Sequence, residues 1–244
     1  MTERKTAVSQ SEMDRPQLQI EVMRLVDSGD LPAAFSFLEV DKDAVKVSAS
    51  YIRLVHWLYN ESKDVSRMLV AARRGIGYSL EAAGRETAAA TAATLKENAK
   101  IIAFNAAANC WPGWGDEGAT IEPAHLVEAV NLASQSLRLV EELELGHKRL
   151  GPAHWLIGAL ELARGNAAAA DGEFERAQAA FHAEGAEASE LMVQGYRALL
   201  RMRQPPSQDL GAAQFNDVLQ RLKQDGSKQA HFYLQQLITA DRLL

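Results

Sequence analysis

Apolar residues recur along this chain at steps of three and four, the period at which a helix turns one face to a core. Between residues 122 and 145, Leu126, Val130, Ala133, Leu137 and Val140 form one such row. Leu132, Ser136, Leu139 and Leu143 form a second. Two rows on one helix predict neighbours on two sides, as in a stacked array. The same periodicity predicts helices over 16–28, 31–38, 43–60, 63–83, 86–109, 152–165, 166–183, 186–203, 210–223 and from 228 to the end. Turn chemistry punctuates them: Gly29 suits a left-handed cap, Asp30 and Asn166 suit N-caps, and Pro32 suits a first turn. Gly84, Gly165, Pro205-Pro206 and Gly226 end or separate helices. No stretch shows sustained period-two alternation with β-branched enrichment, so no strands are expected. Short connections make consecutive helices antiparallel. The expected fold is all-α, about eleven helices in one domain over 16–244, behind a disordered lead-in at 1–15.

Composition supports helix over sheet, since Ala fills 41 and Leu 29 of the 244 positions while aromatics make up 7%. The net charge of −6 argues against a general nucleic-acid binder. Arg73-Arg74 is the only compact basic doublet in the body of the chain. It reads either as a carboxylate-binding pair or as a solvated face. No apolar run reaches the ~18 residues of a membrane span, and the first residues are polar with mixed charge. The default expectation is a soluble cytoplasmic protein that meets no membrane.

Chemistry-bearing motifs are sparse. A single cysteine, Cys110, allows no disulfide within the chain and no cysteine-based zinc cluster. The six histidines form no i, i+4 pair, and no nucleophile elbow or Walker lysine is present. No catalytic residue, metal or cofactor is therefore expected. The segment Trp111-Pro-Gly-Trp-Gly-Asp-Glu-Gly118 is the one clear irregular loop. It formally satisfies G-x-G-x-x-G, but a nucleotide loop of that kind needs a preceding strand, and here a helix precedes it. Two readings remain. Trp111 and Trp114 could anchor a peptide or sugar, or both rings could fold back onto the helix ends.

Residues 154–177 carry an internal pattern: Ile157-Gly158, then Gly165-Asn166, then Ala170, Phe174 and Ala177. This unit resembles a tetratricopeptide (TPR) repeat, with Gly158 as the small residue of the first helix and Ala170, Phe174 and Ala177 as packing residues of the second. Looser matches fall at Gly29-Asp30-Leu31 with Ala34 and Leu38, and at Ile76-Gly77, Gly84 and Ala89. A weak fourth pairs Gly195 with Ala213. The close match covers only 154–177, His154 stands where the family has an aromatic, and the repeat register breaks between residues 41 and 121. The resemblance implies antiparallel helix pairs stacked as a right-handed superhelix. It also implies a groove, lined by the first helix of each pair, that holds a peptide or partner protein. Carried onto this chain, the inward positions are Trp155, Ala159 and Leu162, with Gln19, Met23, Met192 and Tyr196 by looser alignment.

Three functions follow. The leading one is a non-catalytic protein-protein interaction scaffold or adaptor. The second is a self-associating structural protein, a homodimer formed through the groove or the apolar last helix (Leu234, Leu237, Ile238 and Leu243). The third is a small-ligand sensor or enzyme using the Trp111–Gly118 loop.

Overall fold

Side-chain caps decide where several helices begin. Asp30 accepts from the Ala33 amide at 3.0 Å, Asp43 from Val45 and Lys46, Asp64 from Arg67, and Ser227 from Ala230. Each satisfies amides that the first helical turn leaves without a partner. The computed structural model describes residues 15–244, with side chains from Ile20 onward. The expected lead-in at 1–15 lies almost wholly outside the described residues, as does the side chain of Gln19. The helices are α1 (Arg15–Asp27), α2 (Leu31–Leu38), α3 (Ala44–Asn60), α4 (Val65–Arg85), α5 (Ala89–Asn109) and α6 (Pro123–Glu142). They continue as α7 (His147–Ala163), α8 (Ala167–Ala183), α9 (Glu187–Met202), α10 (Gln208–Asp225) and α11 (Lys228–Leu243). A short 3-10 turn, Pro112–Trp114, interrupts the path from α5 to α6. The described residues contain no strand, and no helix is long and apolar enough to cross a membrane. The architecture is all-α and compatible with a helical-repeat fold.

Three boundaries depart from expectation. Helix α7 begins at His147, five residues before Pro152, which sits inside the helix. A proline there deletes a ladder bond near the helix start, and the burial of Ala153 and of Trp155 to Leu160 beyond it holds the helix nonetheless. Asn166 makes no side-chain cap; its Nδ2 donates instead to Glu161 Oε2 at 2.6 Å, tying the turn back to α7. Helix α4 passes through Gly84 and ends at Arg85.

Consecutive helices pack pairwise from α3 to α11, and α1 packs on α2. Glycines fix the closest approaches. A Cβ on Gly158 would lie 2.7 Å from the Phe174 ring and 3.2 Å from the Ala170 carbonyl, and one on Gly151 would lie 2.6 Å from Phe181. The two seats are seven residues apart on both α7 and α8, so these helices run antiparallel about the turn at Gly165. Elsewhere the expected seats shift. Gly75, not Gly77, receives a neighbour, since its Cβ would sit 2.7 Å from Tyr51 of α3, while Gly77 faces open space. Gly195 is closed over by Leu237 of α11 rather than paired with Ala213. Helix α10 meets α9 at Gly211, where a Cβ would fall 2.5 Å from the Met202 amide nitrogen.

The zigzag separates the helices into two sets. Odd-numbered helices touch in succession: α3 with α5, α5 with α7, α7 with α9, and α9 with α11. Even-numbered helices spread apart beyond α2 and α4, so that α4 and α6 meet mainly through side-chain bonds such as Arg73–Glu128, and α8 and α10 pack far less closely on each other than on their odd neighbours. One continuous apolar core runs from Val22 in α1 to Ala240 in α11. The end of α2 is tied down by Glu39, which accepts from the Tyr51 hydroxyl at 2.5 Å and from Arg74 Nε at 2.7 Å. Arg73 pairs with Glu128 of α6 at 3.1 Å. The basic doublet is thus spent on contacts within the chain.

Candidate functional site: a filled odd-helix face and two open clefts

Residues 111–118 form a strap across the odd helices. Trp114 Nε1 donates to the Ala108 carbonyl of α5 at 2.8 Å. The Tyr59 hydroxyl of α3 donates to Asp116 Oδ2 at 2.7 Å. The Trp111 ring packs edge-on against Trp155 of α7 and Tyr196 of α9, with centroids 5.6 and 5.8 Å away. Trp114 reaches Phe232 of α11 at 6.4 Å, and a Cβ on Gly115 would lie 3.1 Å from Thr239 and Leu243. Gly115 has φ +69° and Gly118 φ +83°, conformations that a side chain would strain. Every one of these contacts falls on an odd helix.

This strap explains the fate of the expected groove residues. Trp155 is 6% exposed and Tyr196 and Ala159 are fully buried; Leu162 and Met192 are buried as well. They belong to the core and line no open groove. Most of helix α7 from Gly151 onward is buried among its neighbours, while the strap covers Trp155 and Tyr196 on one side and Phe174 of α8 stacks on Tyr196 from the other at 5.4 Å. Met23 is half-buried on α1. Of the loop candidates, Trp111 is 1% exposed and Trp114 half-buried. Their rings insert among the odd helices rather than standing free as anchors. Four buried polar atoms here and on α11 find no hydrogen-bond partner: Trp111 Nε1, Trp155 Nε1, the Tyr196 hydroxyl and Gln236 Oε1. Each such atom costs about 1–3 kcal/mol, which the aromatic area buried around them offsets.

Reactive groups are quenched by the same packing. Burial pushes the Cys110 thiol up to about 12, with a smaller contribution from Glu128. Burial also raises the Tyr59 phenol, reinforced by its bond to Asp116. Among the described residues, no group of three His, Cys, Asp or Glu is placed to hold a metal ion. On the last helix, Leu237 is buried, Leu234 half-buried, and Ile238 and Leu243 exposed. Ile238 stands among exposed Lys228, His231, Gln235 and Arg242, and Phe232 is exposed on the same helix.

The even-helix side is different. Between α8 and α10, over α9, lies a cleft of about 540 Å³ lined by Gln178, Gln194, Arg197, Arg201, Gln214 and Asp217 with Ala213 and Val218. Arg197 is held by Asp171 of α8 at 2.7 Å. Arg201 donates to Gln214 Oε1 of α10 at 2.7 Å and has no carboxylate partner. A second cleft of about 520 Å³ lies between α4 and α6, with Arg73, Glu128, Asn131, Gln135 and Arg138 on its polar side and Ile76, Leu80 and Leu132 on its apolar side. Ser66 and His125 join the two helices near their starts at 3.1 Å, and the Arg73–Glu128 pair follows. Arg138 makes no ion pair or hydrogen bond. Neither cleft emerges from the sequence motifs. A signal for the first does exist: Glu190, Gln194, Arg197 and Arg201 step by four, three and four along a helix whose other residues are mostly buried.

No family model and no curated protein sequence matches this chain.

Proposed function

We propose that the chain is a TPR-like, non-catalytic scaffold that holds a polypeptide partner, and that it does so on its even-helix side. The observation that carries this reading is the pair of clefts of like size at corresponding places in the stack, each opened where alternate helices spread apart. A stack of rigid helices presents side chains at fixed positions, which lowers the ordering cost of binding. Glycine seats such as Gly158 under Phe174 support the TPR-like part of the proposal, since they let paired helices approach as that resemblance implies. The odd-helix face, which the resemblance would assign to the partner, is occupied by the chain's own strap. The partner is therefore assigned to the other side.

Site-specific photo-crosslinking tests this. A photoreactive phenylalanine at Ala213 or Asn131, which line the two clefts, is expected to trap a polypeptide in the cells that make the protein. The same group at Glu117, exposed on the strap, is expected to trap none. Equal trapping from all three positions, or none from either cleft, overturns the proposal.

A further inference from the structure

We infer that the two clefts take acidic polypeptide segments, each gripping a carboxylate with an arginine that the fold leaves without an anionic partner. This deepens the scaffold reading and rests on it. Most arginines of the described residues are matched to a carboxylate. Arg24 meets Glu21, Arg67 Asp64, Arg73 Glu128, Arg74 Glu39, Arg164 Glu161, Arg176 Glu173, Arg197 Asp171 and Arg203 Asp241. Arg201 and Arg138 are not so matched, and each lies in one of the clefts; the other unmatched arginines of the described residues, Arg53, Arg149 and Arg242, are exposed on helix surfaces outside them.

The two arginines differ in how the fold holds them, since Arg138 is exposed and unbonded. Arg201 is half-buried, and its single bond goes to a neutral amide, Gln214. That contact orients the guanidinium without neutralising it. The nearest acid of the cleft lining, Asp217, is drawn to Arg221 at 3.7 Å. Gln178 and Gln194 both donate to Glu190, and the Gln178 amide oxygen accepts from Arg197 at 3.2 Å. In the other cleft Glu128 is taken up by Arg73, while Arg138 stands beside Gln135 and Ser134. A guanidinium binds a carboxylate through two parallel N–H···O bonds, and side-chain amides can serve the backbone of an extended segment on either side of it. Each lining carries two arginines and one acid, and Asp171 and Glu190, bonded to Arg197, Gln178 and Gln194, balance the charge of the first cleft around the unmatched Arg201. At physiological salt, charges beyond about 8 Å are largely screened. The local guanidinium, rather than the net charge, then decides which segment fits.

Fluorescence anisotropy of the full chain with labelled deca-glutamate, against labelled deca-glutamine, tests the inference. Deca-glutamate is expected to bind saturably and to weaken with added salt, with deca-glutamine failing to compete. Arg201→Gln and Arg138→Gln should each weaken binding about tenfold, as for the loss of one charged hydrogen-bonded contact. Arg176→Gln, which removes a surface arginine outside both clefts, should leave it unchanged. Circular dichroism checks the folding of each variant, and Arg201→Lys should retain part of the affinity where Arg201→Gln loses it. Binding of deca-glutamine as tight as deca-glutamate, or an equal loss in Arg176→Gln, overturns the inference. Either result leaves the scaffold reading to the cross-links, which sink it separately if no polypeptide is trapped.

Discussion

At the scale of single residues, burial determines what each reactive group can do. Cys110 caps α5 and is fully buried, with its thiol pushed up to about 12. At neutral pH it holds its proton, and a thiol alone is a poor nucleophile. Ellman's reagent should therefore leave the folded protein unlabelled over minutes and modify one thiol per chain once urea unfolds it; fast labelling of the native protein would contradict this. Glu173 makes the opposite case. Burial raises its carboxyl, but the hydrogen bond and charge of His154, at 2.7 Å, together with Arg176 outweigh that and leave it below its ordinary value of 4.5. The unfolded chain then binds the proton more readily than the folded one. The stabilisation is complete above the ordinary carboxylate range and is lost as pH falls through the lowered folded value. Glu173→Gln should cost about 1 kcal/mol at pH 7, visible as a melting temperature lower by about 2–4 °C. The gap should close on acidification below the carboxylate range. A gap that persists at low pH would mean that the side chain acts through packing alone.

At the scale of the element, helices were legible and their close contacts only partly so. Rows of apolar residues at steps of three and four, with Gly and Asp at the turns, mark most of the eleven helices, because that period is local; α5 is marked by its alanine content instead, and the first turn of α7, before Pro152, carries no such row. Which glycine is a seat depends on what the neighbouring helix brings to it, and no local pattern encodes that. Gly158 was legible because Ala170 and Phe174 follow it in the next helix of the same hairpin. At Ile76-Gly77 the neighbour is Tyr51, which arrives from the preceding helix and selects Gly75. The groove residues failed for a related reason. The assignment of Trp155 and Tyr196 to an open face presumed that nothing crosses it, and the strap that does so is joined to them through space, not through periodicity. The two glycines of α4 turn this into a measurement. Gly77→Ala adds a methyl in open space to a helix interior and should stabilise by up to about 1 kcal/mol. Gly75→Ala drives the same methyl into Tyr51 and should cost about 1–3 kcal/mol. Urea denaturation of both variants reads the sign directly, and the same sign for both would show that α3 and α4 meet elsewhere.

At the scale of the whole molecule, the strap changes how the stack should unfold. In a plain helical array each unit touches only its neighbours, so the ends can fray while the middle stays folded. Here Trp111, Trp114, Gly115 and Asp116 touch α3, α5, α7, α9 and α11. That set of contacts couples helices far apart in the stack, and α11 cannot leave without uncovering Trp114. The expected consequence is a single cooperative transition, in which far-UV circular dichroism and tryptophan fluorescence melt together. The four tryptophans sample both regions, since Trp57 lies on α3 and the other three lie in the aromatic cluster. Trp111→Ala removes the ring that joins Trp155 and Tyr196 to the strap and should cost about 3–5 kcal/mol. Its diagnostic effect is a different one. With the strap unseated the two probes should separate, the aromatic cluster around α7, α9 and α11 loosening at a lower temperature than the bulk of the helix content. Phe181→Ala, which vacates the seat at Gly151 between α7 and α8 alone, should lower the melting temperature while keeping the probes coincident. If Trp111→Ala also melts as one unit, the stack is cooperative through its pairwise contacts and the strap is only one more piece of core.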